Sequence, residues 1–157
     1  MSGGRRSSPA NEFIFETRTR RRNRDENPLS EAQLVVATGL LGIVLMFPPL
    51  LALIQAEGLA AALGNRDEAP VLPEWANRAS RAQRNLVENL APFVVLVVGT
   101  RLADVPVEAI HLGVSLFFWG RVLHAAVYIA GIPLLRTAAF ALSLVGLLQI
   151  AAAGFFS

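Results

Sequence analysis

The sequence predicts an all-α integral membrane protein, a four-helix up-down bundle, and three features carry that expectation. Of the 157 residues 54% are apolar, and the mean hydropathy is +0.48, more than a soluble fold of this size normally carries. Four long apolar stretches are separated by polar breaks rich in Pro, Gly and charge. Within the stretches, the few polar residues recur at helical spacing and so share faces.

Composition also removes several kinds of chemistry. There are no cysteines, which excludes disulfides, thiolate metal sites and cysteine nucleophiles. The two histidines, His111 and His124, make no convincing metal site, so no metal is expected. All 14 basic residues are arginine. Arginine forks carboxylates bidentately and keeps its charge when desolvated, which suits a buried anion site. A high-GC genome would enrich arginine equally well.

Residues 1–28 are polar, with the run Arg18-Thr19-Arg20-Arg21-Arg22-Asn23-Arg24 and only Phe13, Ile14 and Phe15 as an apolar island. Alone, this segment is expected to be disordered. It lacks the apolar core of a secretory signal, and no groove-reading motif accompanies its arginines, so nucleic acid is not expected. Its expected partner is an anionic headgroup surface or a protein neighbour.

The membrane domain is expected over 29–157. Ser30 reads as an N-cap with Gln33 completing a capping box. The first span, about 31–56, is long enough to cross a ~30 Å hydrocarbon core at ~1.5 Å per residue, and Pro48-Pro49 should kink it. A long connection, 57–73, leads to a second span at about 74–99. The first half of that span holds Asn77, Arg78, Arg81, Arg84, Asn85 and Glu88, and its second half, from Phe93 to Val98, is wholly apolar. In the third span, about 106–130, Arg121, His124 and Tyr128 fall at i, i+3 and i+7. Gly131-Ile132-Pro133 breaks the helix, and a fourth span at about 135–156 opens on Arg136 and is rich in Ala, Gly and Ser, as close helix packing in lipid prefers.

Alternate helices of an up-down bundle enter from opposite sides. The polar start of the second span, the polar end of the third and Arg136 therefore meet at one membrane face, opposite both termini. There Arg78, Arg81, Arg84, Arg121 and Arg136 outnumber Glu74 and Glu88, and buried ions are costly unless paired. A ligand with carboxylates, plus one amine for Glu88, would balance the charge. The bland alternative is that Arg78 and Arg81 snorkel to headgroups while Arg84 and Glu88 pair along the helix. Taken singly, His124 and His111 read as packing residues.

Three motifs in order carry a family resemblance. Arg81-Ala82-Gln83-Arg84-Asn85-Leu86-Val87-Glu88, Gly120-Arg121-Val122-Leu123-His124-Ala125-Ala126-Val127-Tyr128 and Leu135-Arg136-Thr137 together resemble the membrane-associated proteins in eicosanoid and glutathione metabolism, the MAPEG family, over about residues 33–156. The closest resemblance is to bacterial-type members. It implies a homotrimer in the bacterial inner membrane that binds reduced glutathione between subunits near the cytosolic face. By motif, Arg81, Asn85, Glu88, Arg121 and Tyr128 would hold glutathione, with Arg84 in the same wall, Glu88 on the ammonium and the arginines on the carboxylates. Arg136 would hold the thiol as thiolate, the nucleophilic form. The implied activity is that of a glutathione transferase or peroxidase acting on a lipophilic electrophile or hydroperoxide. Gln55-Ala56-Glu57 departs from relatives that carry a basic residue after the first span, and Gln83 stands where several have histidine. The alternative is a non-catalytic accessory subunit that keeps the fold and anchors in a larger membrane assembly through its tail. The positive-inside rule would put the tail, rather than the site, in the cytoplasm; the resemblance implies a cytosolic site.

Overall fold

The computed structural model describes residues 29–64 and 70–156. They contain five helices, α1 (Glu31–Val44), α2 (Phe47–Leu63), α3 (Glu74–Leu102), α4 (Val107–Ala130) and α5 (Pro133–Phe156), and no strand among the described residues. Four segments are long and apolar enough to cross a membrane: Glu31–Ala60, which runs through α1 into α2, and α3, α4 and α5. The all-α, four-span architecture expected from the sequence is therefore the one observed. The arginine-rich tail expected at 1–28 lies outside the described residues.

Pro48-Pro49 does more than kink the first span. Neither proline has an N–H to give, so the carbonyls of Val44 and Leu45 lose their helical donors. Helix α1 ends at Val44, Leu45 and Met46 form a turn, and the prolines fall in the first turn of α2, where a missing donor costs nothing. Regular geometry in α2 is interrupted again at Gly58, whose φ of 85° glycine alone adopts without strain.

Helix α3 runs past the expected Gly99 to Leu102. Its last turn is held by an ion pair from Arg101 to Glu31 at the start of α1, and a cation there also suits the helix dipole. Helix α4 closes on Gly131, with φ 80°, whose N–H donates to the Tyr128 carbonyl at 3.1 Å. Helix α5 starts at Pro133, because proline is preorganised for a first helical position.

Helix α4 is the centre of the bundle and packs against α1, α3 and α5. Its union with α5 is close because glycines meet backbone: a Cβ on Gly120 would stand 2.8 Å from the Ser143 nitrogen, and one on Gly146 would stand 2.6 Å from the Gly113 carbonyl oxygen. Phe93 of α3 stacks on Phe117 of α4 at 4.1 Å between centroids. Leu45, in the turn after α1, packs with Leu86 of α3 and Ala125 of α4. Outward-facing Val95, Leu112, Leu148 and Phe155 are exposed, as a surface bathed in acyl chains permits.

Polar clamps mark the two ends. At one, Glu31 meets Arg101. At the other, Arg78 Nε donates to the Ile129 carbonyl at 2.9 Å, joining the start of α3 to the end of α4. The start of α3, the end of α4 and the start of α5 thus share one end of the bundle.

Candidate functional site

Arg121, only 1% exposed, is the largest fully buried side chain of the described residues. Its guanidinium carbon lies 5.2 Å from the ring centroids of both Phe117 and Phe140. Nη1 donates to Asn85 Oδ1 at 2.7 Å, while Nε and Nη2 are buried without a hydrogen-bond partner. Asn85 neutralises nothing, so a full charge sits between two rings with donors to spare. An unpaired buried cation is among the more expensive things a fold can carry, at several kcal/mol or more. Its geometry suits the oxygens of an incoming anion.

One turn further along α4, the buried His124 ring meets Tyr128 edge-on at 5.3 Å. The Arg136 guanidinium from α5 lies 4.6 Å over the Tyr128 ring. Tyr128 and Arg136 are half-buried. The sequence spacing that put Arg121, His124 and Tyr128 on one face holds, and Arg136 joins that group from the next helix.

The α3 face expected to form one wall is divided. Asn85 turns to α4, Arg84 borders a cavity against α2, and Arg81, Arg84 and Glu88 are all exposed. At ~3.6 residues per turn, Arg84 and Asn85 stand about 100° apart, on opposite flanks of the Arg81–Glu88 line. The structure thus brings together Asn85, Arg121, Tyr128 and Arg136, and leaves Arg81, Arg84 and Glu88 outside that group. The alternative pairing of Arg84 with Glu88 is not formed. Arg78 is spent on Glu74, at 3.3 Å, and on the Ile129 carbonyl, so it acts as a clamp between helices.

Two contributors escaped the sequence reading. Phe117 is one turn before Arg121 and could have been found from that spacing; Phe140, on α5, carried no local signal. The Glu31–Arg101 pair was equally hidden, since 70 positions separate its members.

The sequence profile of the MAPEG family matches residues 34–156. The chain belongs to the MAPEG family. This family includes glutathione transferases and peroxidases, and its members generally use glutathione as cosubstrate and are often trimers. Searches of curated proteins and of solved structures return no match. The matched segment takes in three spans whole, the first from residue 34 onward, and every residue of the Arg121 group described above. The donor set fits an anion: Arg121 offers two buried nitrogens, Nε and Nη2, without partners among the described residues, and Arg136 and Tyr128 stand half-buried beyond His124.

Proposed function

We propose that this chain is a glutathione-dependent membrane transferase or peroxidase acting on a lipophilic electrophile or hydroperoxide. The observation that carries the reading is the buried Arg121 guanidinium, which among the described residues has one neutral partner, no carboxylate and two idle nitrogens. Such a group is explained by an anion that completes it. Arg121 and Asn85 would take one carboxylate end of glutathione. Arg81 and Glu88, exposed on the single subunit, would take the other carboxylate and the ammonium once a neighbouring subunit of a homotrimer covers α3. Two unpaired charges on a membrane helix call for such a cover.

Bound glutathione supplies the sulfur nucleophile that this cysteine-free chain lacks. Arg136 would favour its thiolate by Coulombic attraction and hydrogen bonding. The Tyr128 ring beneath the guanidinium restrains where that charge can sit. Acyl chains on the outer faces give a lipophilic second substrate its route of approach, with the bilayer read as a bacterial inner membrane.

Calorimetric titration of the detergent-solubilised oligomer tests the binding half. Glutathione should bind at millimolar concentration or tighter, and Arg81→Ala and Glu88→Ala should weaken it; an intact oligomer that gives no heat overturns the proposal. Ultraviolet difference absorbance of the thiolate tests the chemical half: it should grow on adding glutathione to the native protein and vanish in Arg136→Leu while binding survives. Turnover with a generic electrophile separates an enzyme from an accessory subunit.

A further inference from the structure

The turn that closes α4 satisfies two of its last carbonyls. Val127 accepts from the Ile132 N–H at 3.0 Å, and Tyr128 accepts from the Gly131 N–H at 3.1 Å. The helical partner of the Ile129 carbonyl would come from four residues on, and that position is Pro133, which has no N–H. Arg78 reaches across from α3 and supplies the missing donor, its Nε lying 2.9 Å from the Ile129 oxygen. The guanidinium also lies against Gly131, where a Cβ would stand 3.3 Å from its central carbon. A cation at a helix C-terminus suits the dipole as well.

Tyr128 and Arg136 stand on the two sides of this corner. The Tyr128 carbonyl is tied to Gly131, and the Arg136 N–H donates to the Ile132 carbonyl at 3.2 Å. Their side chains then stack, with the Arg136 guanidinium 4.6 Å over the Tyr128 ring. Residues 131–135 are all exposed, and among the described residues the Arg78 bond is the one hydrogen bond from α3 to the segment 129–135. Without it the corner that carries both groups loses its hold on α3.

We infer that Arg78 is a positioning residue: by closing the α4–α5 corner through the Ile129 carbonyl, it sets where Tyr128 and Arg136 stand. The inference rests on the reading of Arg136 as the group that holds the glutathione thiolate. Arg78 acts through a hydrogen bond, so its charge is dispensable and its donor is not.

Two neutral variants separate bond from charge. Glutamine carries its amide nitrogen at the same chain position as arginine Nε, so Arg78→Gln keeps a donor for Ile129, whereas Arg78→Met fills the space with none. Thiolate absorbance of bound glutathione is followed against pH in the full-length, detergent-solubilised oligomer, with calorimetry for affinity. Native protein and Arg78→Gln should titrate alike. In Arg78→Met the midpoint should rise by about one pH unit, since a well-placed opposite charge is worth about 1–3 units and its placement is what is disturbed. Glutathione affinity should stay within about twofold, because Asn85 and its bond to Arg121 lie seven residues along α3, about 10 Å at ~1.5 Å per residue. The inference is overturned if Arg78→Met titrates as the native protein does, if both variants shift equally, or if affinity falls as far as the thiolate signal. Should Arg78→Met fail to assemble, Gly131→Ala presses a Cβ on the guanidinium at the same corner and carries the same expected rise, and a native titration there overturns the inference. Native protein that binds no glutathione sinks the reading of the site and this inference with it; a native thiolate signal that Arg78→Met matches sinks this inference alone.

Discussion

Replacing Arg121 with methionine should separate what the fold needs from what the ligand needs. Methionine is unbranched and fills the slot between Phe117 and Phe140. The substitution loses the bond to Asn85 Oδ1, about 1.5–3 kcal/mol for a charged donor, and two ring contacts of about 0.5–2 kcal/mol each. In exchange it removes two buried nitrogens, Nε and Nη2, that lack partners, about 1–3 kcal/mol each. These terms cancel to within a few kcal/mol, so Arg121→Met should fold and melt close to the native protein. Binding has no such compensation. Deleting one side of a buried charge-assisted contact costs about 2–5 kcal/mol, a rise in glutathione Kd of roughly 30- to 5,000-fold. Thermal melting in detergent reads both: native protein should gain stability with added glutathione, and Arg121→Met should start near the same midpoint and gain none. A variant that fails to fold would make Arg121 structural, and one that keeps the full glutathione shift would remove it from the site; either result refutes the argument.

Other parts of the structure make equally definite predictions. Glu31→Gln should destabilise the protein by about 1–3 kcal/mol, because Glu31 is 4% exposed and Arg101 keeps partial access to solvent or headgroups; melting in detergent measures it, and a double-mutant cycle with Arg101→Gln isolates the pair. Gly120→Ala should cost about 1–3 kcal/mol, since its Cβ would meet Ser143 backbone at 2.8 Å and push α5 away from α4. Gly39→Ala has nothing within 4 Å of the new Cβ and should be neutral or stabilising by up to about 1 kcal/mol; the same melts compare the two. Tyr128→Phe keeps a ring under Arg136 and should preserve the thiolate absorbance of bound glutathione, whereas Tyr128→Leu should reduce it severalfold.

Much of this was legible before any coordinates. Apolar length and Pro-Gly punctuation marked four spans, and the order of an up-down bundle put the start of α3 and the end of α4 at one end, where Arg78 bonds to the Ile129 carbonyl. Spacing within α4 also put Arg121, His124 and Tyr128 on one face. These are local properties, since length, period and chain order need no partner to express themselves. What only the tertiary structure decided was rotation and company. Helical spacing ranks residues around an axis but does not say which flank meets which neighbour. That choice was made by long-range packing, with Gly113, Gly120 and Gly146 setting α4 against α5 and Phe93 stacking on Phe117. Once those contacts turned α3, Asn85 went to Arg121, Arg84 went to the cavity beside α2, and Arg81 and Glu88 were left facing outward. A sequence can place four polar residues on one face of a helix; only the neighbours, brought in from distant parts of the chain, can divide that face among different tasks.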